Sequence, residues 1–154
     1  MPNVSSMIPT SDLQGQAVIE LARRAEQFLA GHRWCKSISE RYLAWALAPQ
    51  TGVFFFRLIP AYKGVDKELW VIIGDLPPAY IVCDKAQSWQ EALDAYGVEM
   101  MKWVEAVRNG RSITKLIPVN AEPTSEYANM LETRIKLIWK LIVDVPPETL
   151  PSDT

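Results

Sequence analysis

The run Val53-Phe-Phe-Phe-Arg-Leu-Ile59 near the middle of the chain consists mainly of β-branched and aromatic residues. Such residues are enriched in β-strands. A strand with one face in water alternates between apolar and polar residues, whereas three consecutive phenylalanines place apolar rings on both sides. The run therefore predicts a strand in a sheet that is covered on both faces.

A second hairpin is predicted downstream of this run. Its strands read Glu68-Leu-Trp-Val-Ile-Ile73 and Ala79-Tyr-Ile-Val-Cys83, and the connection Gly74-Asp-Leu-Pro-Pro78 is rich in turn residues. Neither strand alternates between apolar and polar residues, so both faces of the sheet again need cover.

An upstream hairpin is predicted around the turn Leu47-Ala-Pro-Gln-Thr-Gly-Val53, where Gly52 supplies a positive φ. This turn joins a strand over residues 41–47 to the run of phenylalanines. Residues 37–48 also fit a short helix, and residues 35–40 receive no assignment. The two hairpins together predict a four-stranded antiparallel meander.

Capping signatures predict where helices begin. Ser11 is followed three residues later by Gln14, which predicts a first helix that ends at Gly31. Ser88 and Glu91 give the same signature for a second helix, whose apolar residues recur at steps of four and three. This is the strongest periodic signal in the chain.

The second helix is predicted to end at Gly110 and a third to begin near Thr124. The order αββββαα predicts an α+β domain, in which a four-stranded antiparallel meander packs with three helices. The chain of 154 residues has the length of one domain, which we place at residues 11–143. Residues 1–10 and the proline-rich residues 144–154 are expected to be flexible.

Charge and hydropathy exclude several classes of protein. The formal net charge of -2 disfavours a nucleic-acid binder, which normally has a basic excess on one face. No apolar run approaches the roughly 18 residues of a membrane span, so we expect no membrane insertion. The first twelve residues lack a signal-peptide pattern, which predicts a cytoplasmic protein. Cys35 and Cys83 are then expected to stay as reduced thiols.

No motif for catalysis, metal binding or nucleotide binding is present in the sequence. His32, the only histidine, follows a predicted helix end and is typical of a surface residue favoured by the helix dipole. Together with Cys35 and Cys83 it lacks the paired spacing of zinc ligands. The glycines match no phosphate-binding loop. We therefore expect no catalytic residue, no metal and no cofactor.

A family resemblance rests on two segments. Leu69-Trp-Val-Ile-Ile-Gly-Asp-Leu-Pro-Pro-Ala-Tyr80, followed by the helix that bears Trp103-Val-Glu-Ala-Val107, resembles a family of small uncharacterised bacterial proteins. The resemblance covers approximately residues 40–125. It implies a bacterial origin and carries over neither an activity nor a site residue.

Arg57 interrupts a strand that is otherwise suited to the interior, and it is the first candidate for ligand binding. A buried guanidinium needs a partner, so Arg57 is expected either to form an ion pair with Asp66, Glu68 or Asp84 or to bind an anionic ligand. Tyr80 is a second candidate lining residue.

Asp75 is the third candidate for the ligand site. In the sequence Gly-Asp-Leu-Pro it also fits an Asx-type turn, in which its side chain bonds to the local backbone. We interpret the turn bond as the structural alternative to a role in binding.

The last helix is apolar over a wide arc, which predicts an interface. One side of it must meet the sheet, and the simplest partner for the other side is a second copy of the chain. We expect a homodimer with Trp139, Leu137 and Leu141 at its interface. The six tryptophans exceed what one small core requires: we expect Trp45, Trp70 and Trp103 in the interior and Trp34, Trp89 and Trp139 at a rim, pocket or interface.

Three functions remain open from the sequence. The first is a non-enzymatic interaction or accessory protein that self-associates or binds another protein. The second is a regulatory domain that binds a small anion through Arg57 and nearby aromatic residues. The third is an enzyme of unknown class.

Overall fold

The run of phenylalanines lies at the centre of an antiparallel sheet. The computed structural model describes the backbone of residues 2–144 and the side chains of residues 2–142. Strand β3 (Thr51–Pro60) pairs with β2 (Cys35–Leu47) on one side and with β4 (Glu68–Gly74) on the other. Strand β5 (Ala79–Val82) forms one edge of the sheet, next to β4, and β1 (Ile8–Pro9) forms the other edge, next to β2.

Helices cover both faces of this sheet, as the consecutive phenylalanines predict. Helix α1 (Gln16–Ala30) packs on the face that carries Phe54 and Phe56. Helices α2 (Trp89–Arg108) and α3 (Ser125–Asp144) lie on the face that carries Phe55. All three phenylalanine side chains are 0% exposed, so β3 is buried from both sides.

The α+β class is confirmed, but the predicted count of four strands is wrong. The fifth strand is β1, where Ile8 pairs with Leu43 and Pro9 pairs with Tyr42. A strand of two residues has no alternation to detect, and proline is tolerated there because the strand lies at an edge. This strand falls in the segment that the sequence predicted as a flexible terminus.

Strand β2 is longer than predicted. The segment 37–48, which in the sequence fits either a strand or a short helix, is a strand up to Leu47. Strand β2 begins at Cys35, includes the unassigned residues 35–40 and continues to Leu47. Its pairing with β3 is interrupted at three points, between Cys35 and Ser37, Ile38 and Glu40, and Leu43 and Trp45. Each irregularity shifts side chains from one face to the other, so the sequence of β2 shows no regular alternation.

Gly52 does not supply the positive φ expected at the first turn. It lies within β3, where a Cβ atom would come within 2.9 Å of the Phe54 ring and 3.4 Å of Leu21 of α1. The glycine that needs its positive φ is Gly74, with φ of 143°. A Cβ there would lie 2.1 Å from the carbonyl oxygen of Gln50, so no other residue fits this close approach.

The predicted start of α1 is wrong, whereas the predicted starts of α2 and α3 are confirmed. Ser11 does not cap α1, because residues 10–12 form a short 3-10 turn and α1 begins at Gln16 after Gly15. Ser88 does cap α2, since its hydroxyl accepts a hydrogen bond from the Glu91 amide at 3.2 Å. Gly110, with φ of 64°, follows the end of α2, and the Thr124 hydroxyl caps α3.

Among the described helices, none has both the length and the apolar character that crossing a membrane requires. Cys35 and Cys83 are free, buried thiols that belong to the cores on opposite faces of the sheet.

Candidate functional site

Arg57 lies between two carboxylates on neighbouring strands. The register places Glu40 of β2 and Glu68 of β4 opposite it. Its Nη1 donates to Glu40 Oε1 at 2.8 Å and its Nε to Glu68 Oε2 at 2.7 Å. The Tyr42 hydroxyl also donates to Glu40 Oε1 at 2.7 Å. We call these four residues the Arg57 network.

The charges of the Arg57 network compensate one another, since Arg57 pairs with both Glu40 and Glu68. The hydrogen bond from Tyr42 and then that from Arg57 lower the pKa of Glu40, and the hydrogen bond to Glu68 raises the pKa of Arg57. The predicted ion pair with Glu68 is confirmed. Glu40 was missed because residues 35–40 had no assignment, so their register with β3 was unknown.

Asp75 also has a partner within the chain. Its carboxylate forms an ion pair with Arg134 of α3 at 3.1 Å, although its side chain is 68% exposed. The Asx-type turn bond expected for this side chain is replaced by this contact between the second hairpin and α3. Arg57, Asp75 and Tyr80 are therefore not brought together, since of the three only Tyr80 lines the cavity next to β5.

This cavity is a groove of about 550 Å³ along the edge of β5. Residues 78–82 form one wall and residues 115–118 of the α2–α3 connection form another. Phe28 and His32, at the end of α1, close the groove together with Glu99 of α2. We call it the β5 groove. Its volume lies within the roughly 300–1,000 Å³ typical of small-molecule sites.

Two cationic side chains line the β5 groove without a carboxylate partner. Lys85 and Lys115 form no ion pair within the described residues. Glu99, the acidic residue of the lining, pairs instead with Lys102 at 3.1 Å. The groove therefore combines largely apolar walls with an excess of positive charge.

His32 adds a directed polar group to the β5 groove. Its Nδ1 lies 2.9 Å from the carbonyl oxygen of Phe28 and 3.3 Å from that of Leu29. A carbonyl can only accept, so Nδ1 carries the hydrogen. Nε2 forms no hydrogen bond to any described residue. In the neutral ring it keeps a lone pair, with which it can accept a hydrogen bond from a ligand.

Four aromatic rings support the β5 groove from the side of α1. His32 lies 5.0 Å from Phe28, 4.7 Å from Trp34 and 5.3 Å from Tyr80, measured between ring centroids. Trp34 and Tyr80 are also in contact, at 5.0 Å. These contacts fix the orientation of the His32 and Tyr80 rings.

Sequence reasoning identified Tyr80 but missed His32, Lys85 and Lys115. His32 was interpreted as a surface residue because it follows a helix end. Lys85 and Lys115 are ordinary lysines on either side of α2, and nothing in their spacing indicates that the fold brings them to one groove. The proline-containing connection after α2 was the one local signal, since long loops often carry binding residues.

The predicted interface residues differ in their surroundings. Leu137 is 57% exposed on α3. Trp139 and Leu141 are partly buried and pack against the core. The Trp139 indole lies against Gly97 of α2, where a Cβ atom would come within 2.5 Å of Nε1. Trp139 therefore fills a space between two helices of its own chain.

The other tryptophans follow the sequence prediction with one exception. Trp45, Trp70 and Trp103 are buried as expected. Trp89 was expected at a rim but is only 3% exposed, because its ring stacks on Trp45 with centroids 4.9 Å apart. Within the described residues, no group of three His, Cys, Asp or Glu side chains is arranged to hold a metal ion.

The chain matches no known protein family, no curated protein and no solved structure. The resemblance to a bacterial family, drawn from its second hairpin and second helix, therefore stays an expectation.

Proposed function

We propose that this protein binds a small organic anion in the β5 groove, as a regulatory or carrier domain. The observation that carries the proposal is the pair of lysines, Lys85 and Lys115, which line a mostly apolar groove and have no carboxylate partner within the described residues. Charged groups at a cavity gain most from a ligand when the fold leaves them unpaired.

The groove walls indicate the chemical class of the ligand. Leu116, Ile117 and Ile81 offer apolar surface, and Tyr80 and His32 offer ring surface. A ligand that fits has an apolar aliphatic or aromatic body and one anionic group, either a carboxylate or a phosphate. The body lies along β5, and the anionic group is held by the two lysines.

Ligand-dependent thermal unfolding tests the proposal. A ligand that binds only the folded chain stabilises it by about 2.7 kcal/mol at one hundred times its Kd. We expect 3-phenylpropionate or octanoate to raise Tm in a saturable manner. The matching amides, 3-phenylpropionamide and octanamide, keep the shape and lack the charge, and they should raise Tm much less.

A matched set of lysine variants controls for non-specific charge effects. Lys85→Met with Lys115→Met should abolish the difference between acid and amide. Lys36→Met removes an exposed lysine of β2 outside the groove and should preserve that difference. Equal Tm shifts for acid and amide in the unmodified protein would contradict anion binding in this groove.

Self-association is the second candidate function, supported by the exposed side of α3. Leu137 is 57% exposed and Met130, one heptad earlier, is 44% exposed, so both lie on one side of the helix. A homodimer or another protein partner that covers this side would use Leu137 rather than Trp139. Light scattering should then give a dimer mass that Leu137→Glu reduces to a monomer, while Lys36→Glu, an exposed change on β2 rather than on α3, leaves it intact.

We also propose a cytoplasmic, bacterial setting for the protein. Two buried thiols without a disulfide are compatible with a reducing compartment. Intact mass measured without reductant tests whether both thiols are free, because a mass lower by two hydrogens would reveal a disulfide.

A further inference from the structure

A second, smaller cavity shares the walls formed by Tyr80 and Val82 with the β5 groove. It has a volume of about 190 Å³, and Trp34 and Asp66 line it as well. We call it the Trp34–Tyr80 pocket. This volume is below the roughly 300–1,000 Å³ of sites for whole small molecules, so the pocket suits one small head group.

Two aromatic rings form adjoining walls of the Trp34–Tyr80 pocket. The Trp34 and Tyr80 centroids are 5.0 Å apart and the rings are inclined at 68°. Both rings retain accessible surface, and Tyr80 is 38% exposed. The faces of aromatic rings carry negative potential, and the indole ring is the strongest of them in attracting a cation.

Asp66 supplies a formal negative charge beside these rings. Of the described side chains that line the pocket, it alone is charged. It forms no ion pair with any described residue. Val65, Leu69 and Val82 contribute apolar side chains to the remaining walls. The pocket therefore presents one carboxylate, two rings and a hydrophobic lining.

We propose that the Trp34–Tyr80 pocket binds a methylated ammonium group. A primary ammonium needs acceptors for three N–H donors, and this lining offers one carboxylate. A methylated ammonium has no such need, since its methyl groups pack on the rings and apolar walls while Asp66 balances the charge. Such a head group occurs on free choline-type compounds and on methylated lysine side chains.

A choline titration followed by two-dimensional NMR tests the proposal. The indole N–H signal of Trp34 is identified by its loss in Trp34→Phe. Choline should shift this signal in a saturable manner. 3,3-Dimethyl-1-butanol, which has the same shape without the charge, should cause no comparable shift. Nα-acetyl-Nε-trimethyllysine methylamide, compared with choline, separates the two sources: tighter binding identifies a modified protein, and weaker binding identifies a free small molecule.

Charge variants complete the test. Asp66→Asn should weaken choline binding about fivefold, as expected for loss of one exposed charge partner. Asp84→Asn changes a nearby exposed acid that does not line this pocket, and it should leave the affinity unchanged. The double change of Lys85 and Lys115 should also leave choline binding intact, which separates this site from the anion site.

Three results would overturn the proposal. They are equal binding of choline and its neutral isostere, unchanged affinity in Asp66→Asn, and no shift of the Trp34 signal at millimolar choline.

Discussion

The Arg57 network and the β5 groove both contain cationic side chains, but, in the part of the chain that the structure describes, only in the network are these side chains paired with carboxylates. Arg57 lies between Glu40 and Glu68, at 2.8 and 2.7 Å. Lys85 and Lys115 line a cavity and have no carboxylate partner within the described residues. The network lies across three paired strands, whereas the groove follows the edge of the sheet, where a strand has a neighbour on one side only.

This difference separates a structural role from a binding role. Strand register brings the carboxylates to Arg57, so its charge is compensated as soon as the sheet forms. At the edge no further strand supplies a partner, and a ligand can take that place. Arg57, the first candidate for ligand binding from the sequence, therefore stabilises the fold. Lys85 and Lys115, which the sequence did not indicate, form the candidate anion site.

The largest expected effect is a loss of folding stability at alkaline pH, caused by the Cys83 thiol and influenced by Glu68 of the Arg57 network. Burial, together with the negative charge of Glu68, raises the pKa of the Cys83 thiol from 9.0 to about 12. The folded chain then holds a proton that the unfolded chain releases above pH 9. This contribution to stability is complete below pH 9 and is lost between about pH 9 and 12, on the order of 4 kcal/mol in all.

Urea unfolding as a function of pH measures this effect. Cys83→Ala should show a shallower decline than the unmodified protein above pH 9. Glu68→Gln should make the decline end at a lower pH, because the pKa of the folded thiol is then raised less, whereas the onset near pH 9 is set by the unfolded chain. Identical pH profiles for Cys83→Ala and the unmodified protein would exclude the thiol as the cause.

The next effect comes from breaking the Arg57 network. Arg57→Ala should lower the free energy of unfolding by about 2 kcal/mol, because Glu40 and Glu68, on the strands either side of β3, then lose their shared cation. Arg57→Met should cost about half as much, since its alkyl chain still packs near the Phe55 ring. Chemical denaturation measures both. Anion binding in the β5 groove should be the same in both variants, and a parallel loss of binding would mean that the two regions are coupled.

A smaller effect in free energy, confined to binding, is expected at the groove. Lys85→Met with Lys115→Met should weaken binding of 3-phenylpropionate about tenfold, equivalent to about 1.4 kcal/mol. The free energy of unfolding should change by less than about 0.5 kcal/mol, because neither lysine has an ion-pair partner to lose among the described residues. Isothermal titration calorimetry and urea unfolding measure the two quantities separately. A large loss of stability would show that the lysines are structural after all.

The smallest expected effect is a loss of folding stability as the pH falls and Glu40 of the Arg57 network becomes protonated. The hydrogen bonds from Tyr42 and Arg57 lower the pKa of Glu40. Its contribution to stability is therefore present above the ordinary glutamate pKa and is lost as pH falls through the lowered value. The unmodified protein should lose more stability on acidification than Arg57→Met does. Parallel acid profiles for the two proteins would contradict this account of Glu40.

How much of this could be predicted from the sequence depended on the range of the interactions. The consecutive phenylalanines sufficed to predict a sheet with both faces covered, and Ser88 with Glu91 sufficed to predict the start of α2, because both signals are local. Strand β2 was only half recognised, since its irregular pairing depends on β3. The β5 groove was not predicted at all. It exists because residues 78–82 and 115–118 converge after α2 has folded back on the sheet, and no spacing in the sequence records that.

The most direct test of the central claim is where an organic anion binds. In a two-dimensional NMR titration with 3-phenylpropionate, backbone amide shifts should cluster at residues 79–82 and 115–117 and should leave Arg57, Glu40 and Glu68 unperturbed. Shifts centred on the Arg57 network, or none along β5 at saturating anion, would contradict the assignment of the paired charges to stability and the unpaired charges to binding.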